Sequence, residues 1–366
     1  MADLFVELKR RDIFRIHGGS TVKASLTTFA ALIGLSLVAP ASSAPAPQAA
    51  APSPACHDEQ GLTYICSLVV PEDILNLGST GLLLASGHRA PGHMYLIDPA
   101  SRTQSELIHG ATLRLQHDTR AYPDCPGPLN LQAFDVHGLS LAETSPRRFS
   151  VYTTSHGARE AIEIYELDLR GPTPILTWKG CVLLQQDAYF NSVARLADGG
   201  FVATRMRDAN FTRTEGVSPG ITGHVVEWHP GGQLRPLPGT ELSLPNGIDV
   251  SKDERYVFVA AFGTNEVVRF DRRTTPIAKR AVSLPIAPDN VHWDTNGKLL
   301  SAGPNVAPAS GWSVIELDPE TLAFSRLGGA DQTAAMQRVS SAMRVGDDIW
   351  VASNMDRIAR FSLKRP

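Results

Sequence analysis

Polar side chains, most of them oxygen-bearing, recur at one position of a repeated strand pattern in this sequence of 366 residues. Each stands at the start of a short apolar segment, and the set consists of Glu72, His137, Asn191, Asn246, Asp289 with Asn290, and Ser340. Carboxylate and amide oxygens are the ligands that calcium takes in proteins, about 6–8 at a time. If the repeats bring these positions together, the sequence predicts a calcium site. The alternative is a ring of polar residues that only lines a wet tunnel.

Two histidines flank a turn centred on Pro146 and Arg147, namely His137 and His156. Antiparallel pairing about this centre places the two residues directly opposite each other, with Cβ atoms about 5 Å apart. One ring can then orient the other as a general base. The alternative is a pair of histidines in surface loops. No partner is evident for the remaining histidines of the repeats, which are given no role: His88, His93, His224 and His292.

Several other chemistries are excluded by the absence of their motifs. No Gly-x-Ser-x-Gly sequence is present, which argues against a serine hydrolase with a nucleophile elbow. A phosphate-binding loop and a dinucleotide fingerprint are also absent. The chain has 34 Lys and Arg against 37 Asp and Glu, a net charge of −3, so a nucleic-acid partner is not expected. The expected partner is a small lactone or ester, and the protein is expected to be a monomer.

Six repeats must position the polar residues. Each repeat continues from its polar residue as an apolar strand, reaches a turn such as Asp198-Gly199 or Asn296-Gly297, and returns as a second and then a third strand. The starts are roughly 43–65 residues apart, close to the period of about 40–50 residues in propeller blades. The sequence therefore predicts an all-β fold, a six-bladed β-propeller of four-stranded blades.

The sixth repeat lacks a fourth strand, because the chain reaches Pro366 soon after its third strand. The apolar segment Leu62–Val70 precedes the first repeat and has no other assignment. We expect this N-terminal segment to complete the last blade, because that pairing removes an open sheet edge.

Residues 1–55 are expected to lie outside the fold. A basic segment, Met1–Gly19, is followed by the apolar run Ala24–Val38 and by small residues, which is the order of a secretory signal. We predict a signal peptide over residues 1–44, a Pro/Ala-rich linker over 45–55 and the propeller over 56–366. The protein would then be exported, either to the periplasm or as a secreted protein. An uncleaved signal anchor is the alternative, and only then would the chain contact a membrane.

Four cysteines lie at 56, 66, 125 and 181, within the exported portion. An even number in an oxidising compartment indicates two disulfides. Three pairings exist, and we favour Cys56–Cys66 together with Cys125–Cys181. The second pair is favoured because both of its members precede the first strands of neighbouring repeats, the second and the third.

Short motifs at the repeat starts resemble those of the paraoxonase/arylesterase branch of the gluconolactonase-like six-bladed propellers. They occur in the family's order over about residues 65–363, as Pro-Glu-Asp-Ile at 71–74, Val-His-Gly-Leu-Ser at 136–140, Asn191, Pro-Asn-Gly-Ile at 245–248 and Pro-Asp-Asn-Val at 288–291. The resemblance implies a calcium-dependent hydrolase of lactones or aryl esters. It also implies a catalytic calcium with five ligands, namely Glu72, Asn191, Asn246, Asp289 and Asn290.

The resemblance implies a second, structural calcium at Asp73 and the carbonyl of Leu139. One of that site's acids is replaced here by Ser192, and no cysteine lies beyond Cys181 to form the family's disulfide between the chain ends. In the implied reaction, calcium polarises the carbonyl while His137, oriented by His156, activates water. A carboxylate such as Asp289 is the alternative base.

Two other functions fit the predicted fold. One is a non-catalytic exported propeller in which calcium is structural, and only a hydrolysis assay separates it from the enzyme. The other is a propeller related to strictosidine synthase, which would lack the metal. The combination of one Glu, one Asp and several Asn at the repeat starts argues against the second.

Overall fold

The computed structural model describes residues 56–59, 61–109, 113–214, 219–307, 311–331 and 336–364. The predicted signal peptide and linker, residues 1–55, lie outside the described residues. Within those ranges the chain forms six sheets, and its only helical turn is the 3₁₀ turn Gly78–Thr80.

Each sheet is one blade of a six-bladed β-propeller. Blade one consists of β2 (Ile74–Asn76), β3 (Leu83–Gly87), β4 (His93–Asp98) and β5 (Thr103–Glu106). Blade two consists of β6 (Leu113–Leu115), β7 (Phe134–Ser145), β8 (Arg148–Gly157), β9 (Ala161–Asp168) and β10 (Ile175–Leu183). Blade three consists of β11 (Ala188–Arg195), β12 (Phe201–Asp208), β13 (His224–Trp228) and β14 (Arg235–Pro236).

The remaining blades follow the same order. Blade four consists of β15 (Pro245–Val250), β16 (Tyr256–Ala261), β17 (Glu266–Asp271) and β18 (Ala278–Ser283). Blade five consists of β19 (Val291–Trp293), β20 (Leu299–Pro304), β21 (Trp312–Leu317) and β22 (Phe324–Ala330). Blade six consists of β23 (Val339–Val345), β24 (Asp348–Ser353), β25 (Arg357–Ser362) and β1 (Thr63–Cys66). The predicted fold class is confirmed.

Strand β1 closes the propeller as predicted. It pairs antiparallel with β25, with Thr63 opposite Arg360 and Cys66 opposite Arg357. The N-terminal strand thus supplies the fourth strand of the last blade, and the edge of β25 is covered. Blade two departs from the four-strand prediction, because β6 adds in parallel to the outer edge of β10.

The apolar pattern of the strands builds the core between blades. Inner and middle strands such as β3 and β16 are almost wholly buried, whereas the outer strand β18 is exposed along most of its length. Each buried cluster joins neighbouring blades, as where Phe190 of blade three packs with Ile162 of blade two. This arrangement buries both faces of each sheet, so the blades hold one another in fixed positions around the axis.

Both predicted disulfides are present. Cys56 bonds to Cys66 with Cα atoms 6.0 Å apart, and Cys125 bonds to Cys181 with Cα atoms 5.2 Å apart. Both members of the second pair precede first strands, β7 and β11, as predicted, but Cys181 lies in β10, so the bond is within blade two rather than between blades. That bond fastens the segment before β7 to the outer part of its own blade. Among the described residues, no helix is long and apolar enough to cross a membrane.

Candidate active site and cation site

The innermost strands bring five predicted residues to one place on the propeller axis. Glu72 directly precedes blade one, Asn191 lies in β11, Asn246 lies in β15, and Asp289 and Asn290 precede β19. Four of them line a single cavity of about 370 Å³, and the fifth, Asn290, donates a hydrogen bond from Nδ2 to Glu72 Oε1 at 2.9 Å. We call these five residues the open cluster.

Close backbone contact between blades makes this convergence possible. Gly247 donates its amide hydrogen to the carbonyl of Asp289 at 2.8 Å, and a Cβ at Gly247 would lie only 2.5 Å from the Cα of Asn290. A side chain there would push blades four and five apart. Ser340 takes a supporting position, because its hydroxyl donates to the Glu72 carbonyl at 2.5 Å and its own carbonyl accepts from the Asn290 amide.

Four oxygens of the open cluster are buried and have no hydrogen-bond partner among the described residues. They are Glu72 Oε2 and the amide oxygens Oδ1 of Asn191, Asn246 and Asn290. A buried acceptor without a donor costs about 1–3 kcal/mol, so four of them in one place are unfavourable unless a ligand supplies positive charge. No group of three or more His, Cys, Asp or Glu side chains in the described ranges is arranged to hold a metal. The donor set is therefore one of carboxylate and amide oxygens, which suits calcium rather than zinc.

The electrostatics of the two carboxylates also indicate a missing positive charge. Burial, followed by the charge of the neighbouring Asp73, raises the pKa of Glu72 to about 8. Burial and then the proximity of Glu72 raise the pKa of Asp289 well above its usual range. Both shifts arise first from burial and then from a neighbouring carboxylate, and a divalent cation bound by Glu72 and Asp289 would oppose both.

His137 faces the open cluster from β7. Its Nε2 lies 3.7 Å from Glu72 Oε2 and 3.5 Å from Asn191 Nδ2, while its Nδ1 lies 3.0 Å from His156 Nε2. The other nitrogen of His156, Nδ1, lies 2.7 Å from Glu160 Oε1. His137, His156 and Glu160 thus form a chain of hydrogen bonds that begins at the cavity wall and ends at the Glu160 carboxylate.

The hydrogen bonds determine which nitrogens carry protons when both rings are neutral. The carboxylate of Glu160 accepts from Nδ1–H of His156, so Nε2 of His156 accepts from Nδ1–H of His137. The lone pair of His137 Nε2 is then left facing the cavity. Burial, followed by the nearby His88 and His156, holds the pKa of His137 well below its usual value, which keeps this ring neutral.

The predicted register of the two histidines was wrong, although they do meet. His156 pairs with Asp135, and the register shifts between Val136 and Leu139. The residues at this irregularity include His137 and Gly138, which the ladder does not pair. The bulge takes His137 out of the regular alternation of the strand. Its ring therefore reaches His156 although the observed register places Asp135, not His137, opposite His156.

Three residues of this site, Glu160, His88 and Asp135, were given no role at the sequence level. Glu160 follows the turn after β8, and its contact with His156 gives no periodic signal. His88 stacks on His137 with ring centroids 4.2 Å apart, and its Nδ1 lies 3.1 Å from Asp135 Oδ1. Burial lowers the pKa of His88, but the nearby carboxylate of Asp135 outweighs this and raises it above the usual value. His88 follows β3 of blade one and His137 lies in blade two, so only the packing of these two blades brings the rings together.

A second group of buried residues lies next to the open cluster. It differs from the open cluster because protein donors bind both oxygens of its carboxylate. Asp73 Oδ1 accepts hydrogen bonds from His292 Nε2 at 2.8 Å and Ser341 Oγ at 2.8 Å, and Oδ2 accepts from the Leu139 amide at 2.8 Å. The Ile74 amide also donates to Oδ1, at 2.9 Å. We call Asp73, His292 and Ser341, with the amides of Leu139 and Ile74, the closed cluster.

His292 takes the position of a cation in the closed cluster. It is 3% exposed, and its Nδ1 lies 3.8 Å from Asp249 Oδ2. Burial opposes the charged ring, but Asp73 and Asp249 outweigh it and raise the pKa of His292 to about 10. Both oxygens of Asp73 already have protein donors, and Leu139 presents its N–H to Asp73. These residues therefore do not fit the second calcium that the paraoxonase resemblance implies.

Access to the open cluster is through two adjoining cavities. The first is the cavity of about 370 Å³, whose outer wall includes Tyr189 and Phe262. The second, of about 650 Å³, includes His88 and also reaches Phe262, Asp289 and Asn354. Substrate-sized space therefore lies directly over the carboxylate and amide oxygens and beside His137.

Comparison with known proteins agrees with this architecture. Residues 150–327, just under half of the chain, match the family described as SMP-30/Gluconolactonase/LRE-like region. No curated protein matches the chain significantly. Solved structures with the same fold include a luciferin-regenerating enzyme, at 14% identity over 81% of this chain and 92% of that one, with a TM-score of 0.52.

A gluconolactonase from Xanthomonas campestris is similar at 17% identity, over 82% of this chain and 88% of that one, with a TM-score of 0.50. At these identities the likeness establishes the fold.

Proposed function

We propose that the protein is a calcium-dependent hydrolase of lactones or aryl esters, of the paraoxonase/arylesterase type within the gluconolactonase-like superfamily. The observation that carries this proposal is the set of four buried oxygens without described partners, placed beside Nε2 of His137, a histidine that a second histidine and a glutamate orient. The family match and the motifs at the repeat starts support the same reaction class.

The open cluster would hold the cation, with Glu72 and Asp289 supplying charge and Asn191, Asn246 and Asn290 supplying neutral oxygens. When bound, calcium polarises an ester carbonyl and stabilises the negative charge that develops on its oxygen. Two carboxylates balance a divalent ion, so a neutral ester need not displace an anion.

His137 acts as the general base in this proposal. Its Nε2 accepts a proton from a water molecule in the cavity as the water attacks the carbonyl. The positive charge that forms on the ring is stabilised through Nδ1 by His156, whose own Nδ1–H remains bonded to Glu160. Stacking of Tyr189 on His156, with centroids 4.2 Å apart, fixes the plane of the second ring. The carboxylate of Asp289 is the alternative base, and substitution of His137 separates the two.

The deciding experiment is a hydrolysis assay on a lactone panel and phenyl acetate, with metal-stripped protein, with calcium restored and with excess chelator. Calorimetry on the same stripped protein measures calcium binding directly. Hydrolysis that depends on calcium supports the proposal. Calcium binding without hydrolysis would instead support a non-catalytic propeller, and hydrolysis that survives full chelation would overturn the role given to the open cluster.

We also propose that the cofactor is a single calcium ion. A calcium at Asp73 would have to displace the hydrogen bond of His292 and place two cations against one carboxylate. The residue Ser192, where the family has an acid, supplies no second charge, and its buried hydroxyl has no partner among the described residues. The imidazole of His292 thus takes the place of the structural ion.

Export is proposed from the order of basic, apolar and small residues in 1–44, and the two disulfides fit an oxidising compartment. We expect the mature protein to begin between residues 41 and 56. Sequencing the N-terminus of protein recovered from the periplasm or the medium tests this, and an intact Met1 in that material would rule out cleavage.

A further inference from the structure

The mouth of the two adjoining cavities carries an excess of positive charge. Arg207 and Arg213 line the smaller cavity, and Arg89 and Arg338 line the larger one. We call these four residues the arginine rim. Among the described residues that line either cavity, the only carboxylates are Glu72 and Asp289. Both belong to the open cluster, where a bound divalent ion would balance them, so the positive charge of the rim is left in excess.

The arginines of the rim differ from most others in the protein. More than half of the described arginines form a salt bridge with a carboxylate, but none of these four does so within the described ranges. Aromatic rings position two of them instead. The guanidinium of Arg207 lies 4.2 Å from the ring centroid of Tyr189, and that of Arg213 lies 5.4 Å from that of Phe262. These contacts orient the charge without neutralising it.

The fold explains why the four arginines converge. Arg89 lies two residues after β3 and Arg207 is the penultimate residue of β12, so each lies where the second strand of a blade reaches the mouth. Arg213 lies shortly after β12, and Arg338 directly precedes β23. Residues from blades one, three and six thus surround one opening, although they are far apart in the sequence.

We propose that the arginine rim selects lactones or esters with a negatively charged group at a distance from the reacting carbonyl. This group can be a carboxylate, a sulfonate, a sulfate or a phosphate. This inference rests on the proposed function of the open cluster. Guanidinium groups bind such anions through paired, charge-assisted hydrogen bonds. Phe262 lies between the two cavities and offers an apolar surface to the body of the substrate, so the anion would reach the rim while the carbonyl reaches the open cluster.

A cavity mouth lined by one sign of charge also raises the rate of encounter with ligands of opposite charge, by about 10–10³-fold at low salt. The specificity constant kcat/KM for an anionic ester should therefore fall as salt is added, whereas that for a neutral ester of the same shape should not. Exposed charges are screened over about 10 Å at 0.1 M ionic strength, which makes salt a direct probe of the rim.

The experiment compares two phenyl acetates that differ at the para position, one with a sulfonate and one with a neutral sulfonamide. The test variant is Arg213→Gln with Arg338→Gln, which leaves the histidines and the open cluster intact. The matched control is Arg235→Gln with Arg280→Gln, two exposed arginines on the outer strands β14 and β18 that form no salt bridge with a described carboxylate. Both variants lose two charges, so a general effect of net charge appears in both.

We expect the test variant to lose about tenfold in kcat/KM for the sulfonate ester and to stay within about twofold for the sulfonamide, since only the charged ester meets the rim. The control should behave as the unsubstituted protein does. Calorimetry with benzenesulfonate gives a readout that does not require turnover, and the test variant should bind it more weakly than the control does. Because intrinsic ester reactivity cancels in the ratio between proteins, the comparison isolates the rim.

Failure of the inference and failure of the proposed function have different signatures. If both esters are hydrolysed and the test variant affects them equally, the inference is wrong and the hydrolase stands. If neither ester nor any lactone of the panel is hydrolysed, the proposed function fails. Benzenesulfonate binding then decides about the rim, as it also does if lactones alone are hydrolysed. Equal binding of benzenesulfonate to the test variant and the control would overturn the inference in either case.

Discussion

Glu72 and Asp73 are adjacent in the sequence and almost fully buried, yet their surroundings are opposite. In the closed cluster, protein donors satisfy both oxygens of Asp73, and one of them is an imidazole between two carboxylates. In the open cluster, Glu72 Oε2 and three amide oxygens have no donor among the described residues. A buried carboxylate with protein donors on both oxygens holds the blades together, whereas one with an oxygen left without a described donor can accept a ligand.

The largest expected effect separates chemistry from cation binding within the open cluster. His137→Gln should lower turnover by about 10²–10⁴-fold, because it removes the proposed general base. Calcium affinity should change little, since His137 is not among the five proposed ligands. Steady-state kinetics and calorimetry on the same protein measure the two quantities. His93→Gln, which removes a histidine bonded to Glu106 on blade one, is the control.

Retention of turnover in His137→Gln would assign the base to another group. Asp289 would then take that role, and the hydrogen-bonded chain through His156 and Glu160 would have no catalytic purpose.

The next prediction compares Asp73 with Glu72 through the free energy of unfolding of the calcium-free protein. Asp73→Asn should destabilise the fold by about 3 kcal/mol, because it leaves His292 without its closest carboxylate in a buried site. Glu72→Gln should destabilise it much less or even stabilise it, because Glu72 Oε2 has no described donor and burial already raises the pKa of Glu72 to about 8, so little charge is lost at neutral pH. Denaturant titrations of both variants with excess chelator test this. Equal losses in the two variants would contradict the distinction between the clusters.

Loss of a single amide oxygen should weaken cation binding by a smaller factor. Asn246→Ala removes one neutral ligand, so calcium affinity and hydrolysis should fall together, by about tenfold or more. Asn76→Ala is a matched control, since Asn76 also has a buried oxygen without a described partner but lies in β2 away from the cavity. If hydrolysis fell in Asn246→Ala while calcium affinity stayed unchanged, Asn246 would be a substrate contact and not a ligand.

The smallest expected change is in the number of ions bound. Calorimetry on metal-stripped protein should give one calcium per chain, because His292 fills the second position. The double variant His292→Ser with Ser192→Asp removes the imidazole and adds a carboxylate. This variant should gain a second, weaker site. Two ions bound by the unsubstituted protein would show that the closed cluster opens to calcium.

The strand pattern was predictable because it depends on local signals. Apolar segments separated by Asp-Gly and Asn-Gly turns gave six repeats, and an unfilled last blade required the segment at 62–70 to close it. The sequence also identified the five residues that the structure brings together, since the innermost strand of every blade begins at an equivalent place. Strand β6 was not predicted, because a short strand added in parallel to the edge of blade two leaves no periodic pattern in the sequence.

The amino-acid sequence by itself determined the number of blades, the closure by the N-terminal strand and the polar residues that face the axis, because alternation and turn chemistry act over a few residues. Only the tertiary structure decided which of those polar residues have partners. The difference between Glu72 and Asp73 depends on His292, Ser341 and Leu139, which belong to three other blades. The contact of His137 with His156 depends on a bulge that shifts the register. The first set of contacts arises from the packing of blade against blade and the second from an irregularity within blade two, and no local pattern in the sequence encodes either.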